Sequence, residues 1–403
     1  MVLVGVAPNM GRVIAVANQK GGVGKTTTAA ATALRCAEAG HRTVVLSTDP
    51  AHSLGDALDQ AIGPSAEPIC EGLWGQQLDA QQRMEEGWHD IQAYLRQVFQ
   101  WAGVDGLEAE ELSVIPGLDE IFGLSDIKAY VDSDEWDVVV VDCAPTAETL
   151  RFLSLPDILA RYMDRLFPVG RQVTKVVGPV VSRVTSLPVA DDGVFAAVSA
   201  FYERLDGVRE VLTDPARTSV RLVVNPERMV IAEARRTHTY LSLFGYAVDA
   251  VIANRVLPDD IADPWFDRWK AHHLEHLRTI EDSFAPLPIL TSELAPGELV
   301  GAQALRELGA RLYGEQDPSA VLHEGQPLRI TRRGGRTTLS LELPFAVRDD
   351  LELGRRGDEL LVKVGGHRRA IALPDSLRSR RITDAALRRG RLTVTFDGSG
   401  DDG

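Results

Sequence analysis

Cysteine is scarce in this chain: Cys36, Cys70 and Cys143 are its three, far apart and with no C-x-x-C pair. That argues against a disulfide framework and a paired-thiolate clamp, so no zinc is expected and a reducing cytoplasm is the expected compartment. Long apolar runs are missing too. No stretch reaches the ~18 to 20 uninterrupted apolar residues of a bilayer span, so no direct transmembrane segment is expected. The start, Met1 to Met10, lacks the charged region and cleavage site of a signal peptide. Five methionines are too few for an adaptable Met-rich groove. Basic excess is also absent, the net charge being −15. From Pro327 onward 16 Lys and Arg face 11 Asp and Glu, about +5, which leaves about −20 on the first 326 residues. So acidic a body argues against nucleic acid as a partner, because phosphate contacts need clustered Lys and Arg.

What is present reads as an α/β protein with a second domain. The chain, at 403 residues, is too long for one ordinary core. A first strand, Arg12-Val-Ile-Ala-Val-Ala-Asn18, runs into a glycine-rich loop, and Thr26 to Ala39 follows with helical periodicity, ended by Gly40. Thr43 to Ser47 is the next strand, completing a βαβ unit. Nearly unbroken apolar runs at Trp136–Asp142, Arg221–Asn225 and Val248–Asn254 predict central strands of a doubly wound, mostly parallel sheet of the P-loop NTPase kind. Helical insertions are expected at about 76–130 and 157–212, the first carrying Trp88, Ile91, Leu95 and Val98 or Phe99 on one face. Such stripes either pack on the sheet or line an exposed groove. Residues 1–313 are therefore read as one domain and the Pro- and Gly-containing 314–327 as a linker. Short alternating strands separated by Gly turns make 328–396 a small all-β sandwich, with 397–403 a disordered tail.

The strongest chemical signal is Lys20-Gly21-Gly22-Val23-Gly24-Lys25-Thr26-Thr27. Backbone N–H groups of Gly21 to Thr26 can wrap the β- and γ-phosphates of ATP, and the following helix start adds a positive dipole end. Lys25 would bridge these phosphates and the Thr26 hydroxyl would ligate Mg²⁺. Asp142 ends an apolar strand, where a carboxylate holds the Mg²⁺ shell. Asp49, at the end of the second strand, can orient a water toward the γ-phosphate, or simply cap a helix before Pro50.

Gln19 stands where the ordinary motif has glycine, and Lys20 stands beside it. This resembles the deviant Walker A class, which implies that Lys20 reaches a partner's nucleotide in trans and that the active form is a homodimer sandwiching nucleotide. Asp49-Pro-Ala-His-Ser, Asp142-Cys-Ala-Pro-Thr, Asn225-Pro-Glu-Arg-Met and Val251-Ile-Ala-Asn-Arg-Val-Leu-Pro258 resemble the arsenite-pump ATPase family, whose eukaryotic branch targets tail-anchored membrane proteins. The resemblance spans roughly 10 to 313. It implies that Asn254 reads the adenine and that Asn225, Pro226 and Glu227 lie close to the base. Where the family has Gly-His after its Asp-x-Ala-Pro-Thr string, this chain has Ala147-Glu148, which leaves the switch behaviour open. Leu343-Pro-Phe345, Leu373-Pro374 and Gly390-Arg-Leu-Thr-Val394 resemble a small heat-shock (α-crystallin-like) domain.

Three functions fit this reading. An ATP-controlled chaperone or targeting factor would hold a hydrophobic protein client between helical insertions. The ATPase of a metalloid efflux system would need soft thiolate ligands, which the cysteine spacing does not supply. A partition or positioning ATPase would need a basic face or an amphipathic membrane tail, and neither is evident.

Overall fold

A computed structural model describes residues 11–49, 53–78, 118–143, 196, 199, 203, 205, 207–333 and 336–397. The helix expected around Trp88 to Phe99, nearly all of the second insertion, Ala147-Glu148 and the tail beyond Asp397 lie outside the described residues.

Among the described residues, eight strands form one sheet. They are β1 (Arg12–Ala17), β2 (Thr43–Ser47), β3 (Glu67–Cys70), β4 (Leu73–Gln77), β5 (Val138–Asp142), β6 (Thr218–Val224), β7 (Val248–Val256) and β8 (Ile289–Glu293). Their order is β3-β4-β2-β5-β1-β6-β7-β8, parallel throughout except for the antiparallel edge pair β3–β4. Strands β2, β5 and β6 are buried at every position, as a parallel sheet covered on both faces requires. In chain order the helices of this body are α1 (Lys25–Glu38), α2 (Ser53–Leu58), α3 (Leu118–Asp132), α4 (Val208–Thr213), α5 (Arg228–Phe244), α6 (Asp267–Phe284) and α7 (Ala302–Tyr313). Helix α1 buries Ala29, Ala30, Ala31, Ala33 and Leu34, small side chains that let it lie close to the sheet.

One expected boundary is corrected. Residues 76 and 77 are the end of β4, not the start of a helical insertion. The strand is polar in sequence yet buried, because Gln76 Nε2 donates to Pro64 O (2.8 Å) and Asp126 Oδ2 (2.9 Å) while the Tyr130 hydroxyl donates to its Oε1 (2.5 Å).

The amino edge of the sheet carries a buried polar network. Asp249 Oδ2 accepts from Arg12 Nη2 (3.3 Å), and its Oδ1 from Arg221 Nε (3.4 Å). Arg221 also donates to Tyr313 Oη (3.0 Å) and Ala320 O (3.1 Å), and Arg12 Nε to Ser319 O (3.1 Å). The segment leading out of α7 is thus tied to the body by three backbone contacts, counting Leu322 N to Asp249 Oδ2 (3.3 Å).

Beyond it, β14 (Ile382–Arg388), β15 (Arg391–Phe396), β10 (Arg336–Glu342) and β9 (Leu328–Arg333) form one antiparallel sheet. The second comprises β11 (Leu351–Arg356), β12 (Glu359–Val364) and β13 (His367–Ala372), with the short α8 (Asp375–Arg378) beside it. Alternate residues Leu339, Leu341, Leu360, Val362, Leu392, Val394 and Phe396 fill the space between the sheets. Leu243 of α5 is buried in that same core, and Arg369 Nη1 donates to Leu243 O (2.6 Å). The sandwich is seated directly on the α/β body.

Candidate functional site

Strand β1 lies mid-sheet, with neighbours β5 and β6 whose connections run far along the chain, and ligands collect at the carboxyl ends around such a point. The glycine loop leaves β1 there. Asn18 anchors its entry: Nδ2 donates to Val223 O (2.6 Å) and Oδ1 accepts from Lys20 N (3.0 Å). Gly24 has φ +93°, and a Cβ on it would collide with the Asn254 amide, so only glycine fits. Asn254 Nδ2 in turn donates to Val23 O (2.8 Å), joining β7 to the loop.

Lys25 is buried at the start of α1 and donates from Nζ to Lys20 O (3.0 Å). Burial holds its ammonium below the usual lysine range, opposed by the charges of Asp142 and Asp49. The Lys20 side chain is exposed. Asp142 sits across from Val16 of β1 and Ser47 of β2 in the ladder. Burial raises its carboxyl to about 6, against the pull of the Thr26 and Ser47 hydroxyls; Asp49 adds to the rise and Lys25 opposes it. Oδ2 accepts from Ser47 Oγ (3.2 Å), while Oδ1 is buried with no hydrogen-bond partner. An unpaired carboxylate oxygen next to a threonine hydroxyl is a hard-oxygen donor set, and Mg²⁺ fits it. Asp49, half-buried, stands two residues beyond the end of β2 and donates its N–H to Ser47 Oγ (3.3 Å). Burial pushes the Cys143 thiol up to about 12, so it is inert as a nucleophile.

Beside the loop opens a cavity of about 360 Å³ lined by Gly24, Thr27, Asn254, Arg255 and the segment Glu293 to Val300. The fold brings the glycine loop, Asn254, Asp49 and Asp142 to one edge. Asn225, Pro226 and Glu227 are at that edge as well, between β6 and α5, but do not line the cavity. Reasoning from sequence missed the Glu293–Val300 segment, whose Pro296-Gly297 pair after a short strand was the available signal. It also missed Ser47, which holds Asp142.

A family model described as "Anion-transporting ATPase" matches residues 12–314, and one described as "HSP20-like domain found in ArsA" matches 334–396. The chain is 37% identical over 381 residues to "Putative arsenical pump-driving ATPase" of Prosthecochloris vibrioformis, covering 94% of each. It is 34% identical to "Putative arsenical pump-driving ATPase 1" of Aquifex aeolicus, covering 93% of this chain and 97% of that one. To "ATPase GET3" of Mycosarcoma maydis it is 30% identical over 241 residues, 59% of this chain and 70% of that one.

Proposed function

The chain belongs to the anion-transporting ATPase family and is an ATPase, and from that premise we propose that two copies sandwich nucleotide and couple its turnover to holding and releasing a hydrophobic protein segment. The observation that carries the nucleotide chemistry is the buried, unpaired Oδ1 of Asp142 beside the glycine loop. Thr26 and Asp142 would hold Mg²⁺, which would supply positive charge against the β- and γ-phosphates. The N–H groups of Gly21 to Thr26 bind those phosphates. Lys25, held on a backbone carbonyl in the described state, exchanges that acceptor for phosphate oxygens. Asn254 and the Glu293–Val300 segment enclose the base, with Asn225, Pro226 and Glu227 at the neighbouring strand end. Asp49 accepts a hydrogen bond from the attacking water and aims it.

Support for the second subunit comes from the same edge. Lys20 is exposed, and so are large apolar side chains in the segments that follow the strands: Met229 (76% exposed) after β6, Trp265 (68%) after β7, and Leu294 and Val300 after β8. Covering such a face with a second copy would let Lys20 neutralise charge on its partner's transferring phosphoryl group. Among the described helices none is long and apolar enough to cross a membrane.

The test uses the Asp49→Asn chain and a labelled apolar helical peptide of ~20 residues, a membrane-span length. With Mg·ATP this variant should dimerise, keep its ATP unhydrolysed and retain the peptide, whereas the unaltered chain releases it on turnover. Normal phosphate release would remove Asp49 from the water-positioning role, and no peptide retention would remove the client. Lys20→Ala should abolish turnover while nucleotide still binds; undiminished turnover would sink the trans lysine. Names of the two bacterial relatives favour a second reading, metalloid-driven turnover, which stimulation by arsenite would establish.

A further inference from the structure

Between the ATPase body and the β-sandwich lies a second cavity, of about 370 Å³, within the range of about 300 to 1,000 Å³ that small ligands occupy. Phe284, Pro286 and Leu287 give it an apolar floor on the body side, and Pro344 faces them from the sandwich. Its charges do not balance locally. Arg391 Nη2 is already paired with Glu342 Oε1 (2.5 Å), and Arg329 Nε donates to Gln326 Oε1 (3.3 Å), so three arginines line the cavity against the two carboxylates Glu324 and Glu342. Arg389 remains, lining the cavity with no hydrogen bond or ion pair to any described residue.

Arg389 is also held in an unfavourable backbone state. Arg388 and Arg391 pair across the hairpin, so Arg389 and Gly390 are its two turn residues, with φ +48° and +69°. Such turns favour Asn-Gly or Gly-Gly, and arginine gains nothing there from backbone propensity. A strained residue with a free charge at a cavity mouth points to a role for the side chain. Gly390 fixes the turn in place, since a Cβ on it would stand 3.1 Å from Pro344 Cα. Among the lining residues His238 keeps a buried Nδ1 with no partner, its ring stacked on Phe284 at 5.9 Å between centroids.

We propose that this junction cavity binds a small organic anion, a phosphate or carboxylate on a compact flat apolar body. Arg389 takes the charge, His238 makes one hydrogen bond, and Pro286 with Pro344 contacts the body. Bound there, the anion touches the ATPase body, the 323–327 segment and the sandwich at once, and so fastens one to the other.

Isothermal titration of the full chain tests this, with saturating Mg·ADP present so that the glycine loop is filled. Phenyl phosphate and benzoate are the probes, and whichever saturates at one per chain names the anionic group. Arg389→Gly should weaken binding at least about tenfold, the effect of losing one charged hydrogen bond. Its melting temperature should stay level or rise, because glycine suits the left-handed turn. Lost binding in that variant is therefore not misfolding. Failure of both probes to saturate the unaltered chain, or equal affinity in Arg389→Gly, overturns the proposal.

Discussion

The two edges of the central sheet treat buried polar groups in opposite ways. At the amino edge Arg12, Arg221, Asp249, Tyr313 and Ser219 satisfy one another and anchor the chain leaving α7. At the carboxyl edge, atoms are left over beside or at the ends of strands: Gln19 Nε2 after β1, Asp142 Oδ1 on β5, Asn225 Oδ1 after β6 and Ser292 Oγ on β8. An unpaired buried polar atom costs roughly 1–3 kcal/mol, a burden that a ligand bound at this edge would relieve. On the proposed function, one edge serves stability and the other binding.

Breaking the amino edge should therefore cost stability without touching chemistry. Asp249→Ala leaves two buried guanidiniums without their shared carboxylate, and losing one partner of a buried pair costs about 3–5 kcal/mol. Urea melts should show that loss, while turnover per folded molecule stays at the unaltered value. A fall of less than about 1 kcal/mol would mean that the network is solvated and the contrast between edges false.

His238 sharpens the comparison, being an unpaired buried group away from the carboxyl edge. Burial lowers its imidazole to about 4, with the charge of His323 adding to the effect. The unfolded chain takes up this proton near 6.5 and the folded chain not until about 4, so stability falls as pH drops through that window and is unaffected above it. At about 1.4 kcal/mol per unit the loss reaches about 3–4 kcal/mol. His238→Phe should flatten the stability profile between pH 6.5 and 4; an unchanged slope would assign it to other groups.

How far the molecule was legible follows the same physics. The glycine loop and the Val138–Asp142 run were readable because backbone geometry and two-sided burial are encoded locally, in glycine and in unbroken valine. Strand β4 was not, since Gln76 and Gln77 look solvent-facing until Asp126, Tyr130 and Pro64 supply partners from elsewhere in the chain. Strand β14 was missed because an edge strand with mostly exposed residues shows no apolar alternation. The Arg12–Asp249–Arg221 network was beyond reach for a different reason: each is an ordinary charged residue in a strand, and only the sheet order brings them together. The residues expected at the site do come to one edge of the sheet; the segment Glu293 to Val300 was not read as part of it, because a Pro-Gly pair signals a turn and not what the turn lines.

The smallest expected effect runs against intuition. Asp142→Asn removes the carboxylate proposed to hold Mg²⁺, yet it should stabilise the chain on its own. The carboxyl titrates near 3.8 when unfolded and at about 6 when folded, a raised value. The stability that goes with its neutral form is complete below about 4 and is lost as pH rises to about 6. At pH 8 the ionised group is therefore a burden, and asparagine, neutral at every pH, escapes it by about 3 kcal/mol. Thermal melts without divalent ions should place the variant above the unaltered chain at pH 8 and level with it at pH 4. Adding Mg·ADP should reverse the order at pH 8, because only the carboxylate gains from the metal. If the variant melts lower in both conditions, Asp142 is a structural member of the sheet, and the carboxyl edge is no different in kind from the amino one.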